Sequence, residues 1–146
     1  MQIQPVGDDG AVPVGSVAVD AQGNLYGTTS AGEPVAGVVW KLSPSGGSWV
    51  FTILHAFSGH DGPFATPTLD AAGNVYGSSR FTGEGFGEVF KLTPADGGYN
   101  YTSWAFDGLS ARTPSGSVAV GANGNLYGTA PEGGTGDWGV VWEITP

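Results

Sequence analysis

Two histidines, two Asp-x-x-Gly-Asn turns, and a few aromatic and arginine side chains in glycine-rich stretches carry the chemical potential of this chain. His55 and His60, with Asp61 beside the second, have the side chains for a metal site or an acid–base pair. A catalytic metal generally takes three protein ligands. The chain has 2 histidines and no cysteine, so the supply of ligands is poor. Both histidines are expected to be packing or surface residues, and no metal or cofactor is expected. The turns at 20–24 and 70–74 place a carboxylate ahead of a Gly-Asn pair, as some calcium loops do. They lack the acidic density of an EF-hand. A turn braced by its own aspartate is the expectation.

Three glycine-rich stretches differ most from one another: SAGEPVAG (30–37), RFTGEGFG (80–87) and PEGGTGDWG (131–139). Phe81, Phe86 and Trp138 stand there among glycines and acids, and Arg80 and Arg112 are the basic residues that could join a binding site there. A sugar can lay its C–H face on an aromatic ring while charged groups take its hydroxyls. These five residues are therefore the candidate ligand-binding set, with a carbohydrate or a protein as the ligand. The competing expectation is that each ring tucks under its own loop.

The elements that must carry these loops follow from an internal repeat, which is sought before any other pattern. GNLYG begins at Gly23, GNVYG at Gly73 and GNLYG again at Gly124. Each copy is preceded by a short apolar stretch: SVAVD (16–20), TPTLD (66–70) and SVAVG (117–121). Each is followed by VVWKLSP (38–44), EVFKLTP (88–94) or VVWEITP (140–146). The first repeat reads as four strands: a at 17–20, b at 24–29, c at 38–42 and d at 49–57. In strand d, Phe51, Ile53, His55 and Phe57 alternate with Val50, Thr52, Leu54 and Ala56, the period-2 pattern of a half-buried strand. Tyr26, Tyr76 and Tyr127, and likewise Trp40, Phe90 and Trp142, recur at fixed places and are expected to pack between repeats.

Four short antiparallel strands in about 50 residues, repeated in tandem, point to an all-β chain of β-propeller blades. Residues 15–64 form blade 1, 65–115 blade 2, and 116–146 strands a–c of blade 3. Residues 1–14 supply an N-terminal strand d (1–6) and a linker that close a blade. Propellers commonly hold about 4–8 blades, so three blades form an open arc. Two bare faces of ~400 Å² each would forgo on the order of 10 kcal/mol apiece. Closed symmetry is the natural remedy. Two chains give six blades and three give nine. The homodimer is preferred, with the first strand of one chain completing blade 3 of the other.

Composition sets the remaining bounds. The 146 residues include 27 Gly and 10 Pro, suited to frequent turns. With 13 acids against 4 bases and a net charge of −9, binding to nucleic acid or an anionic membrane is not expected. No apolar run reaches the length of a transmembrane helix. MQIQPVGDDG lacks the basic and apolar regions of a signal peptide.

The text FSGHDGP (57–63), DAAGNVYGSS (70–79) and GEVFKLTP (87–94), with DAQGNLYGTT (20–29) and GNLYGTA (124–130), resembles a tandem-repeat family of large bacterial surface proteins. This is the GloVer-type "choice-of-anchor" repeat. The resemblance covers nearly the whole chain and implies an extracellular or cell-surface setting, without implying any particular enzymatic activity. Family members usually carry a signal sequence and an anchor, and neither is expected in this chain. Gly121 departs from the pattern where Asp is usual, and Glu143 where Lys is usual. The overall expectation is a non-catalytic, self-associating scaffold. A lectin is the first alternative, and a metal-dependent hydrolase or lyase the second.

Overall fold

The computed structural model describes residues 10–32, 35–58, 62–81 and 85–146. Its chain order is β1 (Ala11–Val19), β2 (Leu25–Ala31), β3 (Val38–Ser45), β4 (Ser48–Ala56), β5 (Thr68–Leu69), β6 (Val75–Ser79), β7 (Glu88–Ala95), β8 (Gly98–Ala105), β9 (Ala119–Val120), β10 (Leu126–Ala130) and β11 (Val140–Ile144). They form three antiparallel sheets, β1-β2-β3-β4, β5-β6-β7-β8 and β9-β10-β11. Each sheet is one sequence repeat, and its strands lie in chain order. Short links enforce this. Gly46 and Gly47, at φ 57° and 82°, make a two-residue turn between Ser45 and Ser48. Asp96 and Gly97 do the same between Ala95 and Gly98. Such turns match the twist of paired strands. Among the described residues no helix is long and apolar enough to cross a membrane.

Strands b, c and d of the first repeat lie close to their expected places. Strand a does not. It begins at Ala11, because Ala11, Pro13 and Val14 pair with Ala31, Thr29 and Thr28 of β2. The register breaks between Val14 and Ala18, where Gly15 adopts φ 69° and its backbone meets that of Ala65 and Thr66. The corresponding β5 and β9 are only two residues long. The N-terminal strand expected at 1–6 lies outside the described residues.

The expected alternation of β4 is interrupted by a bulge. Val39 faces His55, but Trp40 faces Ile53, which leaves Leu54 as an extra residue. A bulge turns the following side chains to the other face. Leu54 packs against the core as a result, while Ile53 is exposed. β8 has no such break, and Val89 faces Trp104 there. His55 and Trp104 therefore hold corresponding places, opposite the same valine of the repeat.

The sheets stack face to face through two apolar layers. One face of the middle sheet, with Val75, Phe90 and Leu92, meets Tyr26, Val39 and Phe57 of the first repeat. Its other face, with Tyr76 and Val89, meets Val118, Leu126 and Trp142 of the third. Tyr26 and Tyr76 each reach from one sheet into the layer shared with the next.

The last glycine of each GN[LV]YG segment explains itself here. Gly27, Gly77 and Gly128 pair with Trp40, Phe90 and Trp142 on the neighbouring strand. Each ring lies across its glycine, so an added Cβ would sit 2.1, 2.4 or 2.2 Å from a ring atom. Gly77→Ala should therefore destabilise the protein by about 1–3 kcal/mol in urea unfolding, the usual cost of overpacking. Gly98→Ala, where nothing lies within 4 Å, should change stability by less than about 0.5 kcal/mol. Equal effects of the two would contradict this packing.

Candidate functional site

The turns that opened the sequence are hydrogen-bonded clasps. The Asp20 carboxylate accepts the N–H groups of Gln22 and Asn24 at 2.9 Å each, Asn24 Nδ2 at 2.7 Å and the Tyr26 hydroxyl at 3.0 Å. Asp70 accepts the same four bonds, from Ala72, Asn74 twice and Tyr76, at 2.9, 2.9, 2.7 and 2.9 Å. Gly23 and Gly73, at φ 79° and 81°, let the chain reverse. Burial pushes the Asp70 carboxyl up, but the bonds from Asn74, Tyr76 and the turn backbone outweigh it and hold the group below its usual range. The Tyr76 hydroxyl is pushed up to about 12, by burial first and by Asp70 second. Lys41 and Lys91 lie over the rings of Tyr26 and Tyr76, 5.4 and 5.6 Å from their centroids. These carboxylates are occupied by their own turns.

The third repeat reaches the same end differently. Gly121 supplies no carboxylate, and Asn123 Oδ1 accepts the Asn125 N–H at 3.1 Å instead. Glu143 accepts Asn125 Nδ2 at 2.6 Å and the Tyr127 hydroxyl at 2.9 Å. Glu143 pairs with Tyr127 as Lys41 and Lys91 pair with Tyr26 and Tyr76. The two departures from the repeat are thus one exchange: the carboxylate has moved from the turn to the neighbouring strand. Asn125 first and Tyr127 second lower the Glu143 pKa.

His55 lies between the first and second sheets. Its ring stacks on Tyr101, 3.9 Å between centroids and 7° from parallel, and meets the edge of Phe57 at 4.8 Å. The Tyr101 hydroxyl donates to buried Glu88. Burial lowers the His55 pKa, and the charge of Glu88 acts against it. His60 and Asp61 lie outside the described residues. Among the described residues, no group of three or more His, Cys, Asp or Glu is placed to hold a metal.

The loop candidates fall into two groups. Arg80 sits over the rings of Phe64 and Phe81, 5.2 and 5.3 Å from their centroids. Phe86, Arg112 and Trp138 belong to a second group. The Phe86 ring lies against Gly108, and its carbonyl accepts the Thr113 N–H at 2.9 Å. Arg112 donates from Nε to Glu132 at 2.7 Å, from one terminal nitrogen to the Gly108 carbonyl at 3.2 Å, and from the other to Asp137. Asp137 is held at φ 60°, and its other oxygen accepts the Gly133 N–H at 2.7 Å. Trp138 follows it and is 89% exposed.

Glu132 and Asp137 carry no signal in the sequence that sets them apart from the other acids. Asp107, whose carboxylate accepts the N–H groups of Leu109 and Ser110, was the available turn signal. The salt bridges, by contrast, join residues 20 and 25 positions apart and leave no local trace.

With this geometry in place, comparison with known proteins adds one positive finding. Residues 2–146 match the family described as the Gloeobacter/Verrucomicrobia repeat, and the chain belongs to that family. No curated protein matches it.

Two outcomes test the clasps. A carboxyl whose pKa is depressed in the folded state stabilises above its unfolded value, near 3.8 for Asp70. That stabilisation is lost as pH falls through the folded value. Asp70→Asn should lower stability at pH 7 and flatten the part of the acid transition below about pH 4 that belongs to this group. Glu143→Lys alone should destabilise, because it strips Tyr127 and Asn125 of their acceptor. Combined with Gly121→Asp and Asn123→Ala, which rebuild the arrangement of the first two repeats, it should recover most of the loss. Additive effects in thermal unfolding would show that the substitutions are unrelated.

Proposed function

We propose that this member of the Gloeobacter/Verrucomicrobia repeat family is an arc of β-propeller blades that closes its ring with further copies of itself and acts as a non-catalytic binding scaffold. One comparison within the chain carries the reading. Val39 and Val89 are 0% exposed in the layers between sheets, and Val141, at the same place in the third repeat, is 81% exposed. The neighbouring strand agrees: Thr28 and Ser78 are buried, whereas Thr129 is exposed. The third sheet carries the face that the first two bury against their successors, and in the described chain that face is bare.

The first sheet is bare in the complementary way. Its outward side carries Val19, Trp40, Phe51 and Ile53. The middle sheet uses the corresponding face, with Leu69, Phe90 and Tyr101, to pack on the first. Val19 is 61% exposed, and Trp40 is only half-buried where Phe90 is fully buried. One end is therefore shaped like the entry face of a blade and the other like an exit face. Such faces join head to tail, and a head-to-tail contact makes a ring when its rotation closes and a filament when it does not. Two copies give six blades, within the common range of about 4–8. Among the described residues β11 is the edge of its sheet, and in this reading it is open to a further strand from the neighbouring copy.

The mass in solution tests this. Light scattering across micromolar concentrations should give twice the 14.7 kDa of the chain. Three times that mass would favour nine blades. A single-chain mass at every concentration would overturn closure by self-association.

A further inference from the structure

We infer that the loop face around Trp138 is a binding site for neutral carbohydrate. The inference rests on the scaffold reading, for which it supplies a ligand class. In the single chain, Trp138 is the most exposed large apolar side chain among the described residues. It follows a tight turn, Thr135–Asp137, in which Gly136 and Asp137 both have positive φ. Its indole nitrogen lies against Gly136, where an added Cβ would be 2.7 Å away. Gly133, Gly134, Gly136 and Gly139 surround it in sequence and offer no side chain to cover the ring. A flat aromatic surface is held outward with its polar edge near backbone.

The turn beneath it is held by side-chain bonds. Asp137 adopts a left-handed backbone, φ 60°, which aspartate takes more readily than most residues because its carboxylate can bond locally. Its two oxygens accept from Arg112 and from the Gly133 N–H. Arg112 is itself fixed by Glu132 and the Gly108 carbonyl. Gly108 touches Phe86, which is 39% exposed. Two carboxylates and one guanidinium thus form a connected clamp, with Phe86 against its Gly108 end and Trp138 next in sequence to its Asp137 end. Preorganisation lowers the ordering cost of binding.

The chemistry of this surface selects the ligand. Glu132 and Asp137 keep acceptor lone pairs beyond those used by Arg112, and their side chains are 44% and 52% exposed. Two carboxylates outnumber one guanidinium, and the chain as a whole carries −9. Anionic ligands are repelled. A rigid, flat ligand with an apolar C–H face and a rim of hydroxyl donors fits both the ring and the carboxylates. A neutral pyranose has that form.

Affinity electrophoresis tests the site, with the protein run through gels containing soluble mannan, xylan or mixed-linkage glucan, and alginate as an acidic comparison. The expected result is retardation in at least one neutral gel and none in alginate. Trp138→Ala, which removes no core contact, should weaken that retardation by roughly tenfold. Light scattering on Trp138→Ala should give the wild-type mass. The proposal is overturned if no neutral polysaccharide retards the protein, if alginate alone does, or if Trp138→Ala is retarded equally. It is also overturned if Trp138→Ala reduces the solution mass, because Trp138 would then belong to a contact between copies. A single-chain mass with sugar binding intact would instead remove the ring reading and leave this site standing.

Discussion

The hydrogen bond from a tyrosine hydroxyl to the carboxylate of its own turn organises each of the first two repeats. Asp20 and Asp70 close the turn through backbone N–H groups and hold the tyrosine two strand positions past the asparagine. The tyrosine ring is thereby aimed out of its sheet and into the layer shared with the next. A local turn and a long-range packing contact are joined through one carboxylate. The recurrence of GN[LV]YG follows: glycine for the reversal, asparagine and tyrosine for the clasp, and a second glycine under the aromatic ring of the adjacent strand.

The third repeat shows that the constraint is on the carboxylate's place, not on the residue that delivers it. Glu143 reaches Tyr127 and Asn125 from the neighbouring strand once Gly121 has removed the turn carboxylate. At the same place in the other repeats, Lys41 and Lys91 lie over the tyrosine rings instead. Read along the chain, Gly121 and Glu143 are two unrelated departures. Read across the sheet, they are partners.

The same distinction separates what was legible in the sequence from what was not. Period and turn chemistry are local, so three sheets, their strand order and the bounds of β2, β3 and β4 could be read from glycines, Asp-Gly pairs and alternating apolar residues. The early start of β1 depends on pairing with Thr28, Thr29 and Ala31. The bulge at Leu54 depends on how β4 meets β3. The Arg112 clamp joins a linker to a loop. Each is set by residues distant in sequence, which no periodicity reports. Of the five candidate binding residues, Phe86 and Arg112 meet at Gly108, Trp138 follows the Asp137 that Arg112 holds, and Arg80 and Phe81 group with Phe64.

The asymmetry of the two end sheets carries the proposed closure, in which the bare face of the third sheet meets the bare face of the first. It is tested most directly by mixing two variants that each spoil one end, Val141→Lys and Val19→Lys, and measuring mass by sedimentation. Alone, each variant should sediment as a single chain, because every head-to-tail contact would contain one spoiled face. Mixed, they should pair, because the intact third sheet of one chain meets the intact first sheet of the other. If either variant pairs alone, or the mixture stays single while the unaltered protein associates, the faces do not join head to tail and the account is wrong.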